Sequence, residues 1–292
     1  LVNDIERYYP ELTKIIAPFR FIPDWRIDDL MVSYAPQGGS VGPHIDEYDV
    51  FLIQARGQRH WQLDPNVDIK NLLPDCELSI LAAFNTEQEW TLEAGDLLYL
   101  PPKLAHHGVS QSNDCMTYSV GFRAPSQYEL LNSWLDHSAE KQILTSRYSD
   151  SKRPCTTHTG QINTADIVAI KTLMQEALDS DSHFTTWLGK YLTEPKNEQD
   201  TLFNSTEHLD ESIAFTRNPA HRLAWLEQDD NLLIFINGEV NHLPLESKQA
   251  IEYICQHYEY PAASLEKQLR NSHFKDLFAQ LMDYGVVEIV ED

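Results

Sequence analysis

The chain has 292 residues, 42% of them hydrophobic, enough for a substantial core and for one large domain or two to three small ones. Its 22 Lys and Arg against 45 Asp and Glu leave a formal net charge of −23, which argues against direct nucleic-acid binding and favours a basic partner. No apolar run approaches the roughly eighteen residues of a membrane span, and Leu1-Val2-Asn3-Asp4 predicts no secretory leader.

Residues Leu1 to Phe19 place Leu1, Ile5, Tyr8, Leu12 and Ile15 or Ile16 at three- and four-residue spacing, which predicts an amphipathic helix. Short β-branched or aromatic runs then follow: Leu30–Tyr34, Val50–Gln54, His60–Leu63, Asp96–Leu100 and Met116–Phe122. Bounded by Gly, Pro or Asp, they predict strands of a sandwich or barrel, with Ala55-Arg56-Gly57-Gln58 turning one hairpin. After Ala124-Pro125 the texture becomes helical, over Gln127–Ala139, Ile162–Leu178 and His183–Leu192. Strands at Leu223–Leu226 and Leu232–Ile236, with the Asn237-Gly238 turn signal, open a third region. Helices near Ser247–His257, Ala262–Leu269 and Phe274–Tyr284 and a strand at Val286–Val290 complete a mix similar to a small winged-helix module. Trp225 and Tyr253 are expected to serve its core. The four cysteines (Cys76, Cys115, Cys155, Cys255) lie far apart without a C-x-x-C pair, which fits a reducing, cytoplasmic location.

The chemistry concentrates around Gly42-Pro43-His44-Ile45-Asp46. On a strand, residues two apart share a face, so the His44 imidazole and Asp46 carboxylate can converge on one ion. A third ligand is offered by Gly95-Asp96-Leu97-Leu98-Tyr99-Leu100-Pro101-Pro102-Lys103-Leu104-Ala105-His106. Two histidines and one carboxylate leave coordination positions open, the arrangement of non-haem iron(II) oxygenases. Adjacent strand residues face opposite ways, so periodicity alone leaves His106 and His107 both open. Glu47 faces away from His44, and Asp49 lies beyond the paired positions; His60 reads as an ordinary strand histidine. The glycines Gly38, Gly39 and Gly42 precede no Lys-Ser/Thr and no helix, so a phosphate loop is excluded, as is a serine hydrolase for want of a G-x-S-x-G elbow.

These stretches, with Asp24–Leu30, Tyr48–Phe51 and Tyr118–Pro125, resemble the JmjC-type 2-oxoglutarate oxygenases, and most closely their bacterial ribosomal-oxygenase branch. The resemblance implies a double-stranded β-helix (jelly-roll, cupin-like) catalytic domain over residues 1–125, with part of that domain preceding residue 1. It further implies a helical region over 126–205 that forms a homodimer, and a winged-helix-like module over 206–292. It sets the metal ligands as His44, Asp46 and His106, with iron(II), 2-oxoglutarate and molecular oxygen as cofactor and co-substrates. A dicarboxylate needs a cation for its distal carboxylate. The resemblance points to Arg59, with Arg56 as the alternative and Thr117 as a hydrogen-bonding neighbour. The implied substrate is an arginine of large-subunit ribosomal protein sixteen, hydroxylated at its β-carbon. Two other readings stand beside it: the same chemistry on another residue or a small molecule, and a non-catalytic, metal-holding cupin-like module.

Overall fold

The computed structural model describes residues 1–68, 70–74, 79–179, 181–196 and 214–290. Cys76 and the 205/206 boundary lie outside the described residues.

The N-terminal stretch is not the continuous helix that its spacing predicts. Three-residue 3₁₀ turns at Ile5–Arg7, Pro10–Leu12 and Ala17–Phe19 surround a four-residue helix, α1 (Thr13–Ile16). The reason is local: Pro10 and Pro18 have no amide hydrogen to donate, and each sits at the start of a turn, where that loss costs least. The apolar side chains still find the core, Ile16 and Phe19 packing with Leu30, Val120 and Phe122.

Seven strands follow: β1 (Ile27–Ala35), β2 (Val50–Arg56), β3 (Arg59–Asp64), β4 (Gln88–Leu92), β5 (Leu97–Leu100), β6 (Ala105–Ser110) and β7 (Cys115–Phe122). They form two antiparallel sheets, ordered β1-β7-β2-β5 and β4-β3-β6. Together these make the double-stranded β-helix. The expected hairpin at Ala55–Gln58 is instead a corner between the sheets. Both edges of β2 are already taken by β5 and β7, so β3 leaves for the opposite sheet and pairs with β4 and β6. Gly57 makes the corner with φ +64°, and a Cβ there would lie 2.1 Å from Ser112 Oγ. The five-residue β4 is mostly exposed and offers only Trp90 and Leu92 in alternation, too short a pattern for sequence periodicity to pick out.

Helices α2 (Gln127–Glu140), α3 (Thr164–Glu176) and α4 (Asp181–Thr193) come next. The first two begin with capping boxes, Ser126 with Glu129 and Asn163 with Asp166. Trp134 of α2 packs edge-on against Trp187 of α4 with ring centroids 5.3 Å apart. Helix α4 also lies on the sheet of β9 (Leu223–Gln228), β10 (Asn231–Ile236) and β11 (Glu239–Pro244), where Gly189 sits so close to the Phe235 ring that a Cβ would meet it at 2.2 Å. Asn237 and Gly238 turn the β10–β11 hairpin with φ of 50° and 82°, as that dipeptide predicts.

A second small sheet, β12 (Glu259–Tyr260), β8 (Phe215–Arg217) and β13 (Val287–Ile289), joins helices α5 (Lys248–Gln256), α6 (Ala262–Gln268) and α7 (Ser272–Asp283) around one apolar core. Trp225 and Tyr253 pack against that core as expected. Arg20 holds this module to the catalytic domain, donating to the Cys255 and Gln256 carbonyls while its Nε and Nη2 also engage Asp24. The described cysteines are unpaired, and no described helix is long and apolar enough to cross a membrane.

Candidate metal centre and co-substrate cavity

The segment carrying His44 and Asp46 leaves regular strand geometry, yet it is tied to β6 by two backbone bonds. His44 N–H donates to the His106 carbonyl and His106 N–H to the His44 carbonyl, each at 3.0 Å. This bridge makes the histidines of distant segments direct cross-strand neighbours, with ring centroids 4.3 Å apart. The Asp46 carbonyl accepts from Lys103 N–H at 2.7 Å, fixing the other end of the segment. One donor atom each from His44, Asp46 and His106 lies within 4.8 Å of the others, and His106 Nε2 stands 3.6 Å from Asp46 Oδ2.

The outer ring nitrogens are spoken for. His44 Nδ1 lies 2.9 Å from the Gly42 carbonyl and His106 Nδ1 lies 3.0 Å from the Leu104 carbonyl. A carbonyl can only accept, so each Nδ1 carries the hydrogen and each Nε2 presents its lone pair inward. Burial, and then the neighbouring His44, push the His106 imidazolium pKa below the ordinary value, so His106 stays neutral and available as a ligand. Two imidazole nitrogens and a carboxylate, already oriented, fit a divalent transition metal such as iron(II).

The cavity in front of the triad has a volume of about 400 Å³. Strand alternation explains its lining: Asp29, Met31 and Ser33 from β1, Val50 and Leu52 from β2, Arg59 and Trp61 from β3, and Thr117, Ser119 and Gly121 from β7 all face it. Arg59 is only 5% exposed, its Nη2 makes a long 3.4 Å bond to Ser33 Oγ, and its Nε has no protein partner. A buried guanidinium with a spare donor suits a carboxylate. Arg56, the alternative, is 64% exposed and pairs with Asp114 outside the cavity. Thr117 is buried on the same wall, where its hydroxyl donates to Gln54 Oε1 at 3.0 Å.

The rival residues are occupied elsewhere. His107 lies against Phe84, and His60 bonds Thr91 and Glu89 at the sheet surface. Asp49 pairs with Arg26 and accepts from the Tyr99 hydroxyl, and Glu47 pairs with Lys103. Sequence reasoning overlooked Asp29, Tyr48 and Trp61. Burial and the Asp46 carboxylate push the Tyr48 hydroxyl up to about 12, so it remains a donor. The usable signal was the alternation of Asp29, Met31 and Ser33 along one strand.

The JmjC domain family matches residues 14–130, and the ROXA-like winged helix matches residues 172–288. The ribosomal protein uL16 3-hydroxylase of Escherichia coli is 36% identical over 98% of this chain and 77% of its own length. The chain therefore belongs to the JmjC oxygenases that carry a ROXA-like winged helix, enzymes dependent on iron(II), 2-oxoglutarate and molecular oxygen. It is also similar to a probable ribosomal oxygenase of Haemophilus influenzae, 37% identical over 64% of this chain and 47% of that protein. The solved structure of the E. coli ribosomal oxygenase YcfD with cobalt and 2-oxoglutarate matches with a TM-score of 0.80 at 27% identity, over 99% of this chain and 77% of that one.

Proposed function

We propose that this chain hydroxylates the β-carbon of an arginine in large-subunit ribosomal protein uL16, with His44, Asp46 and His106 holding iron(II). The observation that carries this reading is the convergence, in one cavity, of the oriented triad and the buried Arg59 with its unpartnered Nε. The 36% identity to the E. coli uL16 hydroxylase supports the choice of substrate.

When bound, iron(II) supplies the oxidising chemistry, coupling oxidative decarboxylation of 2-oxoglutarate to succinate and carbon dioxide with insertion of one oxygen atom into a C–H bond. The rest falls to the chain. His44 and His106 offer neutral Nε2 atoms because the Gly42 and Leu104 carbonyls hold the protons on Nδ1. Arg59 binds the distal carboxylate of the co-substrate, and Trp61, with its ring centroid 5.7 Å from the guanidinium carbon, keeps water from it. Thr117 joins that carboxylate by exchanging its bond to Gln54. Apolar Val50 and Leu52 exclude water between the co-substrate and the target bond. At the open side, Asp29 receives the substrate guanidinium. Its Oδ1 faces Gly121, a position where an added Cβ would stand only 3.4 Å from it, and Tyr48 flanks the same glycine.

We assign residues 1–125 to catalysis, 126–205 to a helical dimerisation region and 206–292 to the winged-helix module, in a cytoplasmic homodimer. Helix α3 buries none of its side chains and exposes Ile167, Val168, Ile170 and Met174, an apolar face suited to a second copy. Sedimentation of the wild type and of Met174→Glu tests this, with a dimer becoming a monomer as the expected result.

The function is tested by incubating the enzyme with iron(II), 2-oxoglutarate and the uL16 protein. Mass spectrometry should find one added oxygen on one arginine, with succinate formed in equal amount. Succinate without the modification would move the substrate to another residue or a small molecule. No succinate at all would favour the cupin-like binding module, which has no use for Arg59.

A further inference from the structure

Lys196 follows α4 in the chain, far in sequence from the strands of the catalytic domain, yet its ammonium reaches the mouth of the catalytic cavity. Its Nζ stands 2.7 Å from Asp28 Oδ2, 3.5 Å from Asp29 Oδ2 and 3.8 Å from Asp4 Oδ1. Three carboxylates thus gather around one amine, while Arg222 from the winged-helix module engages Asp28 Oδ1 at 3.3 Å from the other side.

The two oxygens of Asp29 have different partners. Oδ2 faces away from Gly121 toward Lys196 and accepts from Asp4 N–H at 3.3 Å. Oδ1 lies against Gly121 on the cavity wall. Burial and the like charges of Asp28 and Asp4 push the Asp29 carboxyl upward, and Lys196 is the cation that opposes them. The buried Glu6 nearby adds no cation.

We propose that Lys196 is a positioning residue for substrate binding: it clamps Oδ2 of Asp29 so that Oδ1, ionised and oriented, is presented to the substrate guanidinium. This rests on the arginine reading above. Recognition at the catalytic mouth then depends on the segment that leads toward the winged-helix module, which supplies the clamp from outside the catalytic domain.

A simple charge argument makes the opposite prediction. A cation beside a cation's binding site repels the substrate, so its removal tightens binding. A clamp whose removal lets Asp29 protonate or turn weakens binding instead, and the sign of the change decides between them.

The experiment measures steady-state kinetics of the full chain, with iron(II) and 2-oxoglutarate, on a uL16 peptide carrying the target arginine. For Lys196→Ala and Lys196→Gln the expected result is a KM for peptide raised about tenfold, the equivalent of about 1.4 kcal/mol of lost binding, with little change in kcat. Lys196→Arg should recover most of the wild-type KM, because it returns a positive charge beside Asp29. A peptide with citrulline in place of the target arginine, assayed as a competitor, should bind wild type and Lys196→Ala equally. A lowered KM in Lys196→Ala identifies a competing cation and overturns the proposal, as does an unchanged KM. If wild type forms succinate but leaves the arginine unmodified, the arginine reading itself fails and the clamp falls with it.

Discussion

The two ends of this molecule bury their side chains in opposite ways. The C-terminal module closes one continuous apolar core of nineteen buried residues, including Phe274, Phe278 and Leu281 at zero exposure. The catalytic sheets carry two clusters of five buried residues each, one on the far face of the β1-β7-β2-β5 sheet and one, with Val50, Leu52 and Trp61, beside the cavity that Asp29, Arg59, Thr117 and the triad also line. A closed core returns stability for each residue buried, whereas a catalytic interior keeps polar groups out of water and unpaired until a ligand arrives. The chain accordingly depends on the winged-helix module for bulk and on the β-helix for chemistry. Arg20 and Arg222 stitch the two directly, while Arg123 and Lys196 tie α4 and the segment after it to the catalytic domain.

Removing a metal ligand should have the largest effect on activity and little on folding. Asp46→Ala or His106→Ala should bring succinate formation to background and abolish iron binding, while thermal unfolding of the metal-free protein stays near wild type. His107→Ala should keep iron, since that ring lies against Phe84 on the far side of the strand. An iron-binding His106→Ala with an iron-free His107→Ala would reverse the assignment.

The mirror-image experiment is in the other core. Phe278→Ala should cost about 3–5 kcal/mol of stability, the usual range for a buried Phe truncated to Ala. Under conditions where it remains folded, its iron affinity should match wild type. Denaturant unfolding and metal titration on the same sample would show whether the two regions are energetically separate.

Glu6 lies at the border between these behaviours. It is buried, bonds the Leu30 N–H at 3.1 Å, and burial pushes its carboxyl up from 4.5 to about 7. A raised folded pKa means that the native state holds the proton more tightly, so this stability is present below pH 4.5 and is lost as pH rises toward 7. The shift corresponds to about 3 kcal/mol. Glu6→Gln keeps the acceptor and should remove that slope, leaving the variant more stable than wild type above pH 7. Thermal unfolding across pH 4 to 8 checks it.

Arg59→Ala should have a smaller, selective effect. A charge-assisted pair contributes about 1.5–3 kcal/mol, so the 2-oxoglutarate requirement should rise roughly ten- to a hundredfold. Iron binding should persist. An unchanged requirement would leave the co-substrate cation unassigned, because Arg56 points away into its pair with Asp114.

What the sequence determined by itself was whatever depends on near neighbours. The spacing of His44 and Asp46, the Asn237-Gly238 turn and the alternation of the long strands are set by backbone geometry over a few residues. The same locality explains the error at the N-terminus, where a helical spacing was visible but Pro10 and Pro18 broke the hydrogen-bond ladder. Facing, by contrast, is decided by which strands pair. Whether His106 or His107 points inward depends on the bridge to His44, and Arg59 separates from Arg56 because the Gly57 corner carries the chain from one sheet to the other. Asp29 became part of a site only when strand β1 lay beside β7 and Lys196 reached it from beyond α4. Contacts between residues so far apart in sequence leave no periodic trace, since they arise from the closure of two sheets and the docking of a later segment, and only the tertiary structure decides them.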